Sequence, residues 1–198
     1  ILVRGGSVGA VVAGADEPIG GGIAMLNATL RLENCVVEAN SAGKGGAIGA
    51  VASSLVLVDS EVRDNATTGD GGAIFARDSG VVVENSVFTG NIAAGRGGAI
   101  EAVGGELLID LCVFEANSAS AEGGALAWSG GGFGGSILDS EIRLNGASAG
   151  GGIWIGEDAS TLEIGNTVVC DNEPDEIDGA FTDLGGNEIC GGCVGDLN

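Results

Sequence analysis

With histidine and tyrosine absent, the side chains of this 198-residue chain that could do chemistry are carboxylates, thiols and a few aromatic rings. Glycoside hydrolysis needs two or three carboxylates converging on one bond. The best pair available is Glu84 and Asp110, which occupy one outward column on neighbouring repeats. Polysaccharide elimination needs a base to take the proton and a cation to neutralise the substrate's acid. The seven Lys and Arg are dispersed or sit opposite acids, so neither chemistry is specified, and Glu84 and Asp110 read as solvated acids. Sugar-binding surfaces offer aromatic platforms; the candidates are Phe75, Trp128, Phe133 and Trp154, with Gly130–Gly135 around Phe133 forming an insertion. Weak calcium sites could come from stacked acids such as Asp59, Glu84, Asp110 and Asp139, although no spacing specifies one.

Composition narrows the class. Asp and Glu number 28 against seven Lys and Arg, a net charge of −21 that excludes nucleic-acid binding by phosphate neutralisation. Glycine accounts for 40 residues, but with 44% hydrophobic residues and two prolines the chain is neither collagen nor a disordered linker. No apolar run reaches transmembrane length. The chain opens at Ile1 in mid-pattern without a signal peptide, which reads as a piece of a longer precursor.

The elements that position these groups are repeats. A Gly-Gly-(Ala/Ile)-apolar tetrad begins at Gly21, Gly45, Gly71, Gly97, Gly123 and Gly151, at intervals of 24, 26, 26, 26 and 28 residues. In step with it, a β-branched residue or Phe precedes Asn by three positions, ending at Asn40, Asn65, Asn91, Asn117, Asn145 and Asn172. Between these signatures run apolar columns, among them Leu30, Leu55, Val81, Leu107, Gly135 and Leu162, and after the glycines Ile48, Ile74, Ile100, Leu126 and Trp154. Strands this short cannot bury a face alone, so the repeats must stack at ~4.8 Å per coil. The predicted fold is all-β: a right-handed parallel β-helix of about six coils of ~26 residues. It forms a single domain over 1–198, with regular coils over 21–172, a divergent first segment, and an irregular cap over 173–198.

Each column then has a physical task. The glycine pairs Gly45-Gly46, Gly71-Gly72, Gly97-Gly98 and Gly123-Gly124 supply φ > 0 or close backbone approach at one corner. The asparagines at another corner tolerate the left-handed region and bond their amides to the next coil. Cys35, Ser60, Ser86, Cys112, Ser140 and Thr167 keep a small group inside a bend. The residues before the glycine pairs, Lys44, Asp70, Arg96 and Glu122, alternate in sign coil by coil. Glu38 faces Arg63, and Glu115 faces Arg143.

Gly71-Gly72-Ala73-Ile74 with Phe88-Thr89-Gly90-Asn91, and the 97–100 and 114–117 segments, resemble the repeat of the polymorphic outer-membrane protein family. The resemblance spans residues 21–172, with Val or Ile replacing Phe in other coils. It implies a right-handed parallel β-helix in an exported passenger or ectodomain, secreted or on a bacterial cell surface. In chlamydial members it implies adhesion. The end of the chain looks like the terminal segment of secreted glycine-rich β-helix proteins that continue into a dockerin-like module. Asp196-Leu197-Asn198 match the first three positions of a D-x-N-x-D-G calcium loop, making Asp196 and Asn198 weak metal candidates.

Cys35 and Cys112 share a column three coils apart, roughly 14 Å by the stacking distance, too far for a disulfide and therefore buried thiols. Cys170, Cys190 and Cys193 cluster at the end of the chain. Cys170–Cys190 is the expected bridge and Cys190–Cys193 its alternative; a metal would need a fourth ligand. The reading is a non-catalytic extracellular scaffold without a cofactor, calcium aside, acting in display, adhesion or surface structure. Its partners would be a host or neighbouring cell surface, a polysaccharide or copies of itself. Two alternatives stand beside it: a carbohydrate-active or carbohydrate-binding β-helix, and a self-assembling extracellular filament.

Overall fold

A computed structural model describes residues 2–6 and 18–190; Cys193, Asp196 and Asn198 lie outside them. The described residues contain strands and turns and no helix, and three large parallel sheets run the length of the molecule. The first sheet has eight strands, including Val36–Glu38, Glu61–Arg63, Val87–Thr89, Val113–Glu115 and Glu141–Arg143. The second has seven, including Ile48–Val51, Ile74–Arg77, Ile100–Val103, Leu126–Ser129 and Ile153–Ile155. The third also has seven, including Ser54–Val58, Gly80–Glu84, Leu107–Asp110 and Gly135–Leu138. A fourth, of two-residue strands such as Ala66–Thr67 and Ile92–Ala93, follows the asparagines. Each strand pairs with its equivalent one coil away, giving a parallel β-solenoid of about six turns at ~26-residue spacing. Parallel crossovers are right-handed almost without exception.

The core is a set of ladders. Phe88 and Phe114 stack with ring centroids 4.8 Å apart, in line with Val62 below and Ile142 above. Leu55, Val81 and Leu107 form another ladder, which Gly135 interrupts. Trp128 accounts for the interruption. It stands in the inward column of Ala50, Ala76 and Ala102, and its ring occupies the space beside Gly135. Trp128 is fully buried, with its indole N–H donating to the Ser160 carbonyl at 3.1 Å. It is therefore a core residue and no sugar platform.

The asparagine corner is closed by a continuous run of hydrogen bonds. The Asn65 backbone N–H and Nδ2 both donate to Asn91 Oδ1, at 3.1 and 3.0 Å, and the second Nδ2 proton goes to the Val37 carbonyl at 3.0 Å. The pattern repeats from Asn40 through Asn145, so each interior amide makes all four of its hydrogen bonds. At one end Asn40 Oδ1 accepts from the Gly6 N–H at 2.8 Å; at the other, Glu176 Oε2 replaces the missing amide and accepts from the Asn172 N–H at 3.2 Å. The left-handed conformation belongs to the residue before each Asn: Ala39, Asp64, Gly90, Ala116, Leu144 and Asp171. That corrects the expected role of the asparagines, whose backbone N–H is directed along the ladder. A second ladder runs through the small column, where the Ser60 N–H donates to Ser86 Oγ and the Cys112 N–H to Ser140 Oγ, each at 3.0 Å.

The glycine corner shows why two glycines are needed. The first of each pair has positive φ, 68° at Gly71; the second has its backbone against the next coil, so a Cβ on Gly72 would overlap the Gly98 carbonyl. This fixes the register where three glycines run together. Gly20 and Gly150 take the positive φ, so the intervals become 25, 26, 26, 26 and 27, and Gly21 and Gly151 stand second in their pairs. One consequence is a correction at Trp154. Ile153 pairs with Leu126 in the inward column, and Trp154 faces outward. Residues 173–190, expected to be irregular, add Ile177–Asp178, Thr182–Gly185 and Glu188–Ile189 to the three large sheets as a shorter coil.

Replacing Asn91 by Ala strips acceptors from Asn65 and a donor from the Val62 carbonyl, all buried. Urea denaturation should show a loss of about 2–4 kcal/mol, at one or two unsatisfied buried groups of about 1–3 kcal/mol each. Asp64→Ala, at an exposed turn position next to the ladder, should cost under about 1 kcal/mol. Equal losses for the two variants would contradict the ladder's role.

Candidate functional site

The outward column of the second sheet reads Ala24, Gly49, Phe75, Glu101, Ala127, Trp154 and Asp178, one residue per coil. Its neighbours across the glycine corner are Lys44, Asp70, Arg96 and Glu122, whose side chains lie over the sheet. Lys44 Nζ pairs with Asp70 at 3.0 Å and lies 5.0 Å from the centre of the Phe75 ring. Arg96 pairs with Glu122 at 2.9 Å, and its guanidinium lies 4.7 Å from the centre of the Trp154 ring. Because Ala127 is small, Arg96 can cross it to reach Trp154 one coil further on. The hydrogen bond from Arg96 to Glu122 holds the guanidinium pKa up.

Lys44, Asp70, Arg77, Arg96, Glu101 and Trp154 line a groove of about 630 Å³, with the exposed Glu157 and Asp158 at one end. Clefts of roughly 300–1,000 Å³ are the usual size of ligand sites. Asp158 also accepts from the Gly130 N–H at 3.2 Å, tying the insertion that carries Phe133 to the groove's rim. Phe133 itself is 73% exposed.

Glu101 is a residue that composition and spacing do not single out. Only 3% exposed, it lines the groove, and its Oε2 is buried without a hydrogen-bond partner. Burial pushes its carboxyl up to about 8; Asp70 and Glu122 reinforce the effect, and Arg96 and Lys44 oppose it. At neutral pH Glu101 is therefore mostly protonated. Its signal in the sequence is slight: an acid in the middle of an outward column, flanked by Phe75 and Ala127 on the adjoining coils.

Other candidates are placed differently. Glu84 and Asp110 do pair across the third sheet, at the edge of a hollow of about 200 Å³ whose lining is largely apolar, through Val82, Leu108 and Leu138. Glu84 is exposed and Asp110 half-buried. Asp59 and Asp139 belong to the adjacent turn column, where Asn85 and Leu111 also take positive φ, so the four acids form no single cluster. Phe75 is buried against Ile19 and Val51. Arg63 donates to Glu38 at 2.8 Å, and Arg143 pairs with Glu115 at 3.3 Å. Cys35 and Cys112 are free and buried, and burial raises the Cys112 thiol to about 11. Cys170 and Cys190 form a disulfide with Cα atoms 4.7 Å apart, joining the last two strands of the first sheet. Glu188 lies beside them, but the bridged sulfurs are not available as thiolate ligands.

Residues 85–103 match the model of the Chlamydia polymorphic membrane protein repeat. The match runs from the turn at Asn85 through Phe88 and Asn91 to the Gly97-Gly98 corner and the strand carrying Glu101. It thus covers the chemistry that sets the coil: the apolar ladder, the amide and the glycine pair. Neither the curated proteins nor the solved structures yield a match to the chain. No helix among the described residues is long and apolar enough to cross a membrane.

The raised pKa of Glu101 has a definite sign in stability. Its ordinary value is 4.5 and its folded value about 8, so between them the folded state holds more protons and stability falls as pH rises. Glu101→Gln should remove that slope. The variant should match the wild-type protein below about pH 4.5 and exceed it by a few kcal/mol above about pH 8, since each tenfold change in proton affinity is worth about 1.36 kcal/mol. Thermal melts across roughly pH 4–9 check this; parallel pH profiles would refute a buried, titrating Glu101.

Proposed function

We propose that this chain is a rigid, exported β-helical segment on a bacterial cell surface, where it holds a contact face away from the cell and takes part in adhesion or display. The observation that carries the reading is the match of one coil to the polymorphic membrane protein repeat within a solenoid whose other coils keep the same ladders. A stacked solenoid suits this task because each coil braces its neighbours and length is gained by adding coils. The disulfide between Cys170 and Cys190 agrees with an oxidising compartment. A net charge of −21 favours solubility and repels other polyanions. The ion pairs of Lys44, Arg63, Arg96 and Arg143 brace neighbouring coils. An exposed pair of this kind contributes ~0.2–1 kcal/mol.

Antibodies to the solenoid should label intact cells of the source organism, and added protease should remove the label without lysis. Deleting the coding segment should reduce attachment of those cells to their partner surface several-fold. Labelling only after permeabilisation would defeat the proposal.

A further inference from the structure

The groove on the second sheet carries an inference that deepens the surface-contact reading and rests on it. We propose that the groove between Asp70 and Asp158 is a binding site for a neutral saccharide chain, with Trp154 as its stacking face and Glu101 as its hydroxyl partner. From Asp70 through Glu101 and Ser129 to Trp154 and Asp158 the lining spans four successive coils, so the groove runs along the solenoid axis for ~14 Å at ~4.8 Å per coil. A linear ligand fits that shape.

The chemistry narrows the ligand further. Trp154 is half-buried and outward, with Arg96 against its ring and its indole edge beside Gly156. A Cβ at position 156 would press on that ring and on Asp158, so the glycine keeps the end of the groove open. An aromatic face beside polar groups complements a sugar ring, which offers C–H bonds on one face and hydroxyls at its rim. Glu101 supplies what an apolar or purely ionic ligand would leave unused. An unpartnered buried carboxyl oxygen is costly, and the third torsion of Glu is broad, so the carboxyl can turn Oε2 toward an incoming group. A hydroxyl both donates and accepts, so it satisfies Glu101 whether or not the carboxyl is protonated.

Charge argues for a neutral chain. Three cations, Lys44, Arg77 and Arg96, line the groove against the acids Asp70, Glu157 and Asp158, and Glu122 further engages Arg96, so the site has no surplus of positive charge. In a molecule of net charge −21, uronate or sulfate groups would meet repulsion there.

The two tryptophans give a built-in control, because Trp128 is sealed in the core and Trp154 is not. The purified protein is titrated with linear gluco-, manno- and N-acetylglucosamine oligosaccharides, with oligogalacturonate and with spermine, following both indole N–H signals by NMR. A neutral oligosaccharide at millimolar concentration or below should shift the Trp154 signal and leave Trp128 in place. Trp154→Ala should weaken binding at least tenfold, as should Glu101→Leu, while Glu101→Gln should stay within about threefold. Circular dichroism confirms that each variant is folded, and Trp154→Phe, which keeps an aromatic face, should retain most of the affinity. The proposal is overturned if none of the neutral chains moves Trp154, or if oligogalacturonate or spermine binds more tightly than all of them. Unchanged affinity in Trp154→Ala would also overturn it. Surface labelling of cells together with absent saccharide binding would leave the display reading intact and remove this one alone.

Discussion

Stacking coils at the strand spacing forces the backbone to turn inside the molecule at a corner where water cannot reach it, and the amide of one asparagine per coil meets that demand. Its oxygen receives two bonds from the coil on one side and its nitrogen supplies both sides, as at Asn91 and Asn117. Because the acceptor for one coil is the donor for the next, each amide is oriented by its neighbours, and registry in one coil carries to the following one. The termini of the ladder illustrate the same constraint. Asn172 is buried and has no successor to accept from its N–H and Nδ2, and the buried Glu176 carboxyl oxygen stands where the next amide would. Other features of the fold are compatible with that corner: small residues in the second ladder, a left-handed residue before each Asn, and glycine where coils approach most closely.

Size follows the same logic one step removed. With coil spacing fixed by backbone bonds, a ladder can change residue only if an adjacent ladder gives way. Trp128 enters a column of alanines because Gly135, in the neighbouring sheet, surrenders the volume of a leucine. Interiors packed to crystal density permit such exchanges when total volume is kept. A large residue for a small one, matched one strand later in the chain, is thus a single packing event that appears in the sequence as two unrelated irregularities.

The legibility of this protein in its sequence follows from which interactions repeat. The apolar columns, the asparagines and the glycine pairs recur once per coil, so Leu55, Val81 and Leu107 align by spacing alone. What occurs only once is harder to read. In Gly150-Gly151-Gly152 the residue taking positive φ is decided by contact with the next coil, and choosing the wrong one moves Trp154 from the outer face to the core. Trp128 is hard to place for the opposite reason, since its slot is created by Gly135 rather than by its own column. Side-chain propensity assigns the left-handed turns to Asn65 and its equivalents, whereas Asp64 and its equivalents adopt them because the asparagine's own N–H must lie along the ladder. Glu101 has no repeat at all, and its burial depends on Arg96, Lys44 and their acids arching over the sheet.

That last case bears on how a solenoid acquires function. Inward positions answer to the ladders, and substitutions there are constrained by both neighbouring coils. Outward positions are less bound by the ladders: Phe75, Glu101, Ala127 and Trp154 differ while their backbones remain equivalent, and only Gly49, where a Cβ would overlap Gly20 and Ile19, is held by packing. A buried acid without a partner opposes stability, and on a face where alanine serves equally well, as at Ala127, the fold itself gives no reason for it. Strain of this sort inside a regular scaffold points to a demand from outside the fold. The repeat thus separates two problems that a globular domain must solve together: the ladders hold the rod, and outward positions such as Phe75, Glu101 and Trp154 are left to decide what the rod can touch.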